Sequence, residues 1–189
     1  MKKLLAFLIV ALFTLPTLNA QESEFNLGTK VLSLGIGIGN SLYSGAYYTS
    51  GVPPISFSYE QAIKDDVLEK GVIGIVGSIG YNSYKYRTTY GGYDYGWNYS
   101  NIVIAAGGTF HYPLLDKLDT YGVLALGYNI SSSKEYGNYW PGEDYSSSSG
   151  GFVFGIYVGG RYYFNEHFAA FAQVGYGIAY LTFGVSYRL

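Results

Sequence analysis

The chain has no cysteine. No disulfide framework and no thiolate metal site can be built from it. Charge is scarce too: Asp, Glu, Lys and Arg make up 13% of the residues, where about 25% is usual in a soluble domain. The net charge of −2 leaves no basic footprint, so nucleic acid is not an expected partner. There are 2 histidines, His111 and His167. Neither has a serine or carboxylate at a spacing that suggests a catalytic triad, and two isolated histidines make a poor metal site. No enzymatic activity, metal or cofactor is expected. Beyond residue 20 the sequence contains no apolar run of about 18 residues or more, which excludes a transmembrane helix there. Sustained helical periodicity is absent as well.

What the chain has in abundance is glycine (27) and tyrosine (23) in a length, 189 residues, that suits one domain. Its first 20 residues read as a cleavable signal peptide. Lys2 and Lys3 form a positive start, Leu4 to Leu15 an apolar core too short to span a bilayer, Pro16 a break, and Ala20 a small residue before the cut. Gln21 follows rather than a cysteine, so a lipoprotein anchor is not indicated. The expected division is signal peptide 1–20 and barrel domain 21–189. Without Lys2 and Lys3, the 11 basic residues fall to 9 against 13 acidic ones.

The rest of the chain alternates with a period of two, the mark of strands with unlike faces. Eight such strands are predicted. They lie near Thr29–Gly39, Pro54–Ile63, Val72 onward, up to Tyr112, Thr120–Ile130, Phe152–Phe164, Phe168–Gly177 and Leu181–Leu189. One face carries residues such as Leu34, Ile36, Phe57, Ile79, Ile104, Phe154 and Val185. The other carries Gly35, Ser56, Ser78, Ala105, Gly155 and Gly184. In the fifth strand, Leu124, Leu126, Tyr128 and Ile130 set the apolar face, while Tyr121 and Val123 blur the parity. The connections KDDVLEKG, PLLDKLD and NEH are short, whereas Asn40–Pro53, Lys85–Tyr95 and Ser131–Gly151 are long. The fourth long-side connection, near Gly177–Tyr180, is brief.

The sign of the alternation selects the solvent. A soluble barrel must carry Lys, Glu and Asp on its outer face. Here the strands are almost uncharged, so the apolar face is assigned to lipid and the small or polar face to a narrow lumen. A soluble β-sandwich would leave the apolar face without a partner. Strands of roughly 9–11 residues, an even strand count, and short turns alternating with long loops fit an outer-membrane barrel. Tyr59, Tyr112, Tyr162, Phe164 and Tyr187, near the short-turn ends, form the expected aromatic girdle. The terminal strand is apolar to its last residue, Leu189, as a strand that pairs back to the first one requires.

The stretches TFHYPLLDKLDTYGVLALGYN, GGRYYFNEHFAAFAQVGYG and FGVSYRL resemble the small outer-membrane β-barrel proteins of Gram-negative bacteria, the OmpA/OmpX-like or porin-family barrel domain. They cover most of residues 107–189, and the strand rhythm carries the likeness across the whole mature chain. The resemblance implies an eight-stranded antiparallel up-and-down transmembrane β-barrel in the outer membrane. Outer-membrane lipid and the barrel-insertion machinery are its implied partners, the latter through Phe183, Tyr187 and Leu189 of the last strand. Family members usually end on Phe. Leu189, preceded by Tyr187, is a softened form of that cue.

Two groups of residues stand out within this frame. Glu60, Arg161 and Arg188 are the strand charges with lumen parity, and a structural ion cluster at the short-turn end is expected of them. Tyr84 and Tyr86, then Tyr93, Tyr95, Trp97 and Tyr99, also have lumen parity. They should form an aromatic stripe over the barrel mouth around a hairpin tip at Thr88–Gly92. Such a stripe either stiffens the rim or recognises an extracellular glycan or protein. Tyr136, Tyr139, Trp140 and Tyr145, beside Glu143 and Asp144, extend the aromatic content to the next loop. With eight strands, side chains such as Tyr157, Arg161, Tyr163, Phe171 and Gln173 should largely fill the interior. The expected role is structural or in surface interaction, with a narrow channel for very small solutes as the alternative.

Overall fold

The computed structural model describes residues 23–39, 48–90, 93–137 and 145–189. The expected signal peptide lies outside the described residues. Eight strands run in chain order: β1 Lys30–Ile38, β2 Tyr48–Val67, β3 Gly71–Tyr90, β4 Tyr93–Leu115, β5 Leu118–Gly137, β6 Ser146–Tyr163, β7 Phe168–Tyr176 and β8 Leu181–Arg188. Each pairs antiparallel with its chain neighbours, and β8 closes on β1 with Val31 opposite Arg188 and Leu34 opposite Val185. The fold is an eight-stranded up-and-down barrel, as the alternation predicts.

Closure follows from the pleat. Outward Leu34, Phe57, Ile79, Ile104, Leu126, Phe154, Val174 and Val185 are exposed, so the apolar belt encircles the molecule. Inward residues are small, aromatic or polar. Leu124 and Leu126 are exposed and Tyr121 is buried, which settles the parity of β5. At the short-turn end Tyr162 meets Phe164 at a centroid distance of 5.8 Å, and Phe168 meets Tyr187 at 5.0 Å. Tyr162, Phe164 and Tyr187 belong to the predicted girdle, and Phe168 adds to it.

Strand length departs from the sequence reading. Much of what reads as loop is strand. β2 begins at Tyr48, β3 and β4 pair as far as Tyr90 opposite Tyr93, and β5 pairs with β6 up to Lys134 opposite Ser146. The hairpin tip is therefore shorter than Thr88–Gly92, since Thr88 pairs with Tyr95 and Thr89 with Asp94. Apolar alternation stops where lipid would stop. Backbone pairing does not, because polar-faced strands still satisfy each other's N–H and C=O groups in water.

The barrel is accordingly lopsided. β1, β7 and β8 have 9, 9 and 8 residues, whereas β2 to β6 have between 18 and 23. The wall stands tall from β2 to β6 and low across β7, β8 and β1. Register shifts interrupt the β2–β3 ladder at Ser50/Val52 and Val52/Ile55, around Pro53 and Pro54. Proline has no N–H to leave unpaired, so it suits the exposed upper edge of β2.

Candidate functional site

The short-turn end of the lumen holds a closed ring of four charged side chains. Glu60 comes from β2, His111 from β4, Asp119 from β5 and Arg161 from β6. Arg161 donates from Nη2 to Glu60 Oε2 at 2.7 Å and from Nη1 to Asp119 Oδ2 at 2.9 Å. His111 Nε2 lies 2.7 Å from Glu60 Oε1, and Nδ1 lies 2.7 Å from Asp119 Oδ1. All four residues are buried. With both ring nitrogens facing carboxylate oxygens, the geometry is that of an imidazolium donating twice. Two carboxylates, one guanidinium and one imidazolium balance in charge. This balance lets four ionic groups share a buried space.

The ring is packed from below and beside. Phe25, in the segment ahead of β1, stacks on His111 with centroids 3.8 Å apart. Ser23 caps that segment by donating from Oγ to the Phe25 carbonyl at 2.6 Å, and Thr29 ties it to Asn26. Arg161 also lies over the Tyr121 ring at 5.1 Å. Phe25, Val31, Ala62 and Val72 form a small buried apolar cluster here.

Of the three charges predicted to cluster, the structure joins Glu60 and Arg161 and places Arg188 apart. Arg188 shares the lumen face but turns to the rim. It donates from Nη1 to Glu24 Oε2 at 2.9 Å and from Nε to the Glu166 carbonyl at 2.6 Å, and its guanidinium covers Tyr163 at 4.7 Å. The cause is the segment before β1, which brings Glu24 within reach before any ring carboxylate. The two members missed by sequence reasoning are His111 and Asp119. Asp119 lies one residue before the expected start of the fifth strand, so it was not counted as a strand charge. The tight β4–β5 turn carries the missing signal: Pro113 pairs with Asp119 and His111 with Tyr121, which puts Asp119 and His111 on the same face.

The ring offers little chemistry. Thr109 Oγ1 lies 3.0 Å from His111 Nε2, which completes a hydroxyl–imidazole–carboxylate line with Asp119. Glu60 holds that same nitrogen at the shorter distance, so no free base faces the hydroxyl. Among the described residues no group of three or more His, Asp and Glu could hold a metal ion.

The aromatic hairpin stands at the other end. Above Tyr81 and Ile102 the outward face changes from apolar to polar, through Ser83, Lys85 and Arg87 on β3 and Ser100 and Asn98 on β4. The inward face carries the rings. Tyr84 sits opposite Tyr99 and Tyr86 opposite Trp97, so the stripe is built of cross-strand pairs. Tyr84 is buried, while Tyr86, Tyr95, Trp97 and Tyr99 are half-buried. The Tyr136 hydroxyl donates to the Tyr86 carbonyl at 3.3 Å and ties β5 to the hairpin. On the same concave face Glu135 is level with Trp97, and Ser133 with Tyr99. For Tyr93 the structure gives only its strand position. Tyr139, Trp140, Glu143 and Asp144 lie outside the described residues.

Between these ends the lumen is interrupted. The β7–β8 connection folds inward: Ala179 is fully buried, and the Tyr157 hydroxyl accepts from the Ile178 backbone N–H at 2.9 Å. Gly80 leaves the space that Ile178 fills; a Cβ there would come within 2.0 Å of Ile178 Cδ1. Tyr121, Tyr157, Arg161, Phe171 and Gln173 surround a lower cavity of about 90 Å³.

Fold and interior define a class: a small closed β-barrel, apolar outside and blocked within by side chains. No family model matches the sequence, and no curated protein matches it. Among solved structures the chain is similar to Ail, the attachment invasion locus protein of Yersinia pestis. The TM-score is 0.51 at 14% identity, over 87% of this chain and 100% of that one. A second structure of Ail, in complex with the heparin analogue sucrose octasulfate, aligns with a TM-score of 0.51 at 13% identity and the same coverage. Likeness at this level shows the fold, an eight-stranded up-and-down β-barrel.

Proposed function

We propose that the chain is an integral outer-membrane β-barrel that acts at the cell surface through its aromatic hairpin, without enzymatic activity. The carrying observation is the β3–β4 hairpin. It rises beyond the apolar belt with Tyr84, Tyr86, Tyr95, Trp97 and Tyr99 on one concave face, beside Ser133 and Glu135. The short turns then face the periplasm and the tall strands the outside. Phe183, Tyr187 and Leu189 of the closing strand supply the cue for the insertion machinery, and residues 1–20 direct export.

The concave face suits a glycan. Tyr and Trp faces stack on apolar sugar faces, and nearby hydroxyl and carboxylate groups accept from sugar hydroxyls. The heparin-analogue complex of Ail is a precedent for a glycan on this fold. A polyanion fits less well here, because Glu135 faces the same space; a neutral glycan is the better match. A protein ligand is the other outcome of the test. Purified barrel is applied to arrays of neutral and sulfated glycans and to extracellular-matrix proteins. Replacing Tyr95, Trp97 and Tyr99 by Ser should abolish binding to neutral glycans and leave the barrel folded. Unchanged binding would remove the hairpin from the recognition role.

A further inference from the structure

The tall and low parts of the wall meet at an opening. β6 pairs with β7 only from Ile156 opposite Tyr176 downward. Among the described residues, the β7 side of Ser146–Gly155 has no strand partner. That gap reaches down into the apolar belt. Phe154 is level with Leu126 and Phe152 with Tyr128, and Phe152 is 92% exposed. A cavity of about 190 Å³ lies directly behind it. Its inner wall is Ser56, Ser78, Val103, Ala105, Ala125 and Val153, and its floor is Ile178. Its boundary also includes the outward residues Phe154 and Tyr176, whose rings stack at 5.2 Å on the outer surface. The cavity therefore abuts the wall at the level where β6 loses its partner, behind the stacked rings of Phe154 and Tyr176.

We infer that this slot admits one hydrocarbon chain of a surrounding membrane lipid, which lies in the cavity above Ile178. Three features converge on that occupant, given the membrane-embedded reading above. The cavity walls are mostly apolar or small, and an apolar cavity of about 150 Å³ already accepts a benzene-sized guest. The wall beside the cavity is the part where β6 lacks a partner, and there it carries the exposed rings of Phe152 and Phe154 on the belt side. The unpaired β6 edge at the entrance rises into Ser146, Ser147, Ser148, Ser149, Gly150 and Gly151, a polar backbone at the upper limit of the belt. Unpaired backbone groups are costly in hydrocarbon but can pair with the ester and headgroup oxygens of a lipid. An amphiphile whose chain points inward and whose polar end stays at this edge satisfies both parts of the site.

The test is nuclear Overhauser contact in nanodiscs of ordinary diacyl phospholipid, with perdeuterated protein carrying protonated methyl groups. Acyl-chain methylene signals should reach the methyls of Val103, Ala105 and Ile178 as strongly as those of outward Leu126. Val31, fully buried at the other end, should show none. Ala105→Leu and Ala125→Leu each fill the cavity. Either should erase the contacts at Val103 and Ile178 and leave those at Leu126 and the heat-modifiable gel migration of a folded barrel unchanged. Two variants guard against one failing to fold. Contacts at Leu126 without contacts at Val103 and Ile178 would overturn the proposal and leave the membrane reading standing. So would contacts from residues 40–47 in place of lipid, which would give the slot to the chain itself. Loss of contacts at Leu126 as well would overturn both.

Discussion

At the residue scale, the four-member ring shows how a barrel interior tolerates charge. Arg161 is held by two carboxylates, and each carboxylate is held again by His111. Removing one member leaves an uncompensated buried charge, which typically costs about 3–5 kcal/mol. Arg161→Met should therefore lower the unfolding free energy by about that amount, read by urea unfolding in detergent and followed by circular dichroism. Arg188 is different. Its side chain is 23% exposed, and it pairs with a single carboxylate at the rim. Arg188→Ala should cost less than Arg161→Met, because the Glu24 carboxylate left behind at the rim is still in reach of water. Equal losses for the two variants would mean that the rim pair and the ring are not separate units.

At the element scale, the β3–β4 hairpin and the β7–β8 connection solve opposite problems. The hairpin extends past the belt and is stiffened by its own cross-strand rings. Aromatic pairs contribute about 0.5–1.5 kcal/mol each beyond burial. Tyr84→Ser with Trp97→Ser removes a ring from both cross-strand pairs. Amide exchange from Asn82 to Tyr90 should then quicken between a few-fold and more than tenfold, while the belt strands keep their protection. The β7–β8 connection turns inward, and Gly177 permits it with a φ of 151°. A Cβ at that position would also come within 2.0 Å of the Tyr157 hydroxyl. Gly177→Val should cost about 1–3 kcal/mol in backbone strain. The visible result is a lower temperature for conversion from the folded to the unfolded gel band.

At the scale of the whole molecule, the described residues interrupt the lumen at the charge ring over Phe25 and at Ile178 with Ala179. Eight strands leave an interior that side chains fill. A solute-sized path is not expected, and planar-bilayer recording should show no stable ohmic steps. Steps of fixed size would restore the narrow-channel reading. On the proposed reading recognition would be one-sided: the wall is tall over β2 to β6, so a ligand would meet the concave face across the low β7–β8–β1 side.

The sequence by itself determined the number of strands, which face of each points outward, and the closure of the last strand on the first. The physical reason is that a period of two needs no long-range information: once one face is apolar, every side chain is assigned. Lumen parity for Tyr84, Tyr86, Trp97 and Tyr99 followed from the same rule. Tertiary structure alone decided what lies beyond the reach of alternation. Polar-faced strands continue past the belt because backbone pairing does not depend on hydropathy. His111 and Asp119 join Glu60 and Arg161 because closure of the cylinder brings β2, β4, β5 and β6 to one centre. Arg188 leaves them for Glu24 because a short segment ahead of β1, with no periodicity to announce it, turns beneath the barrel. The slot beside β6 belongs with these, since it arises from the unequal heights of neighbouring strands, a relation that no single stretch of sequence contains.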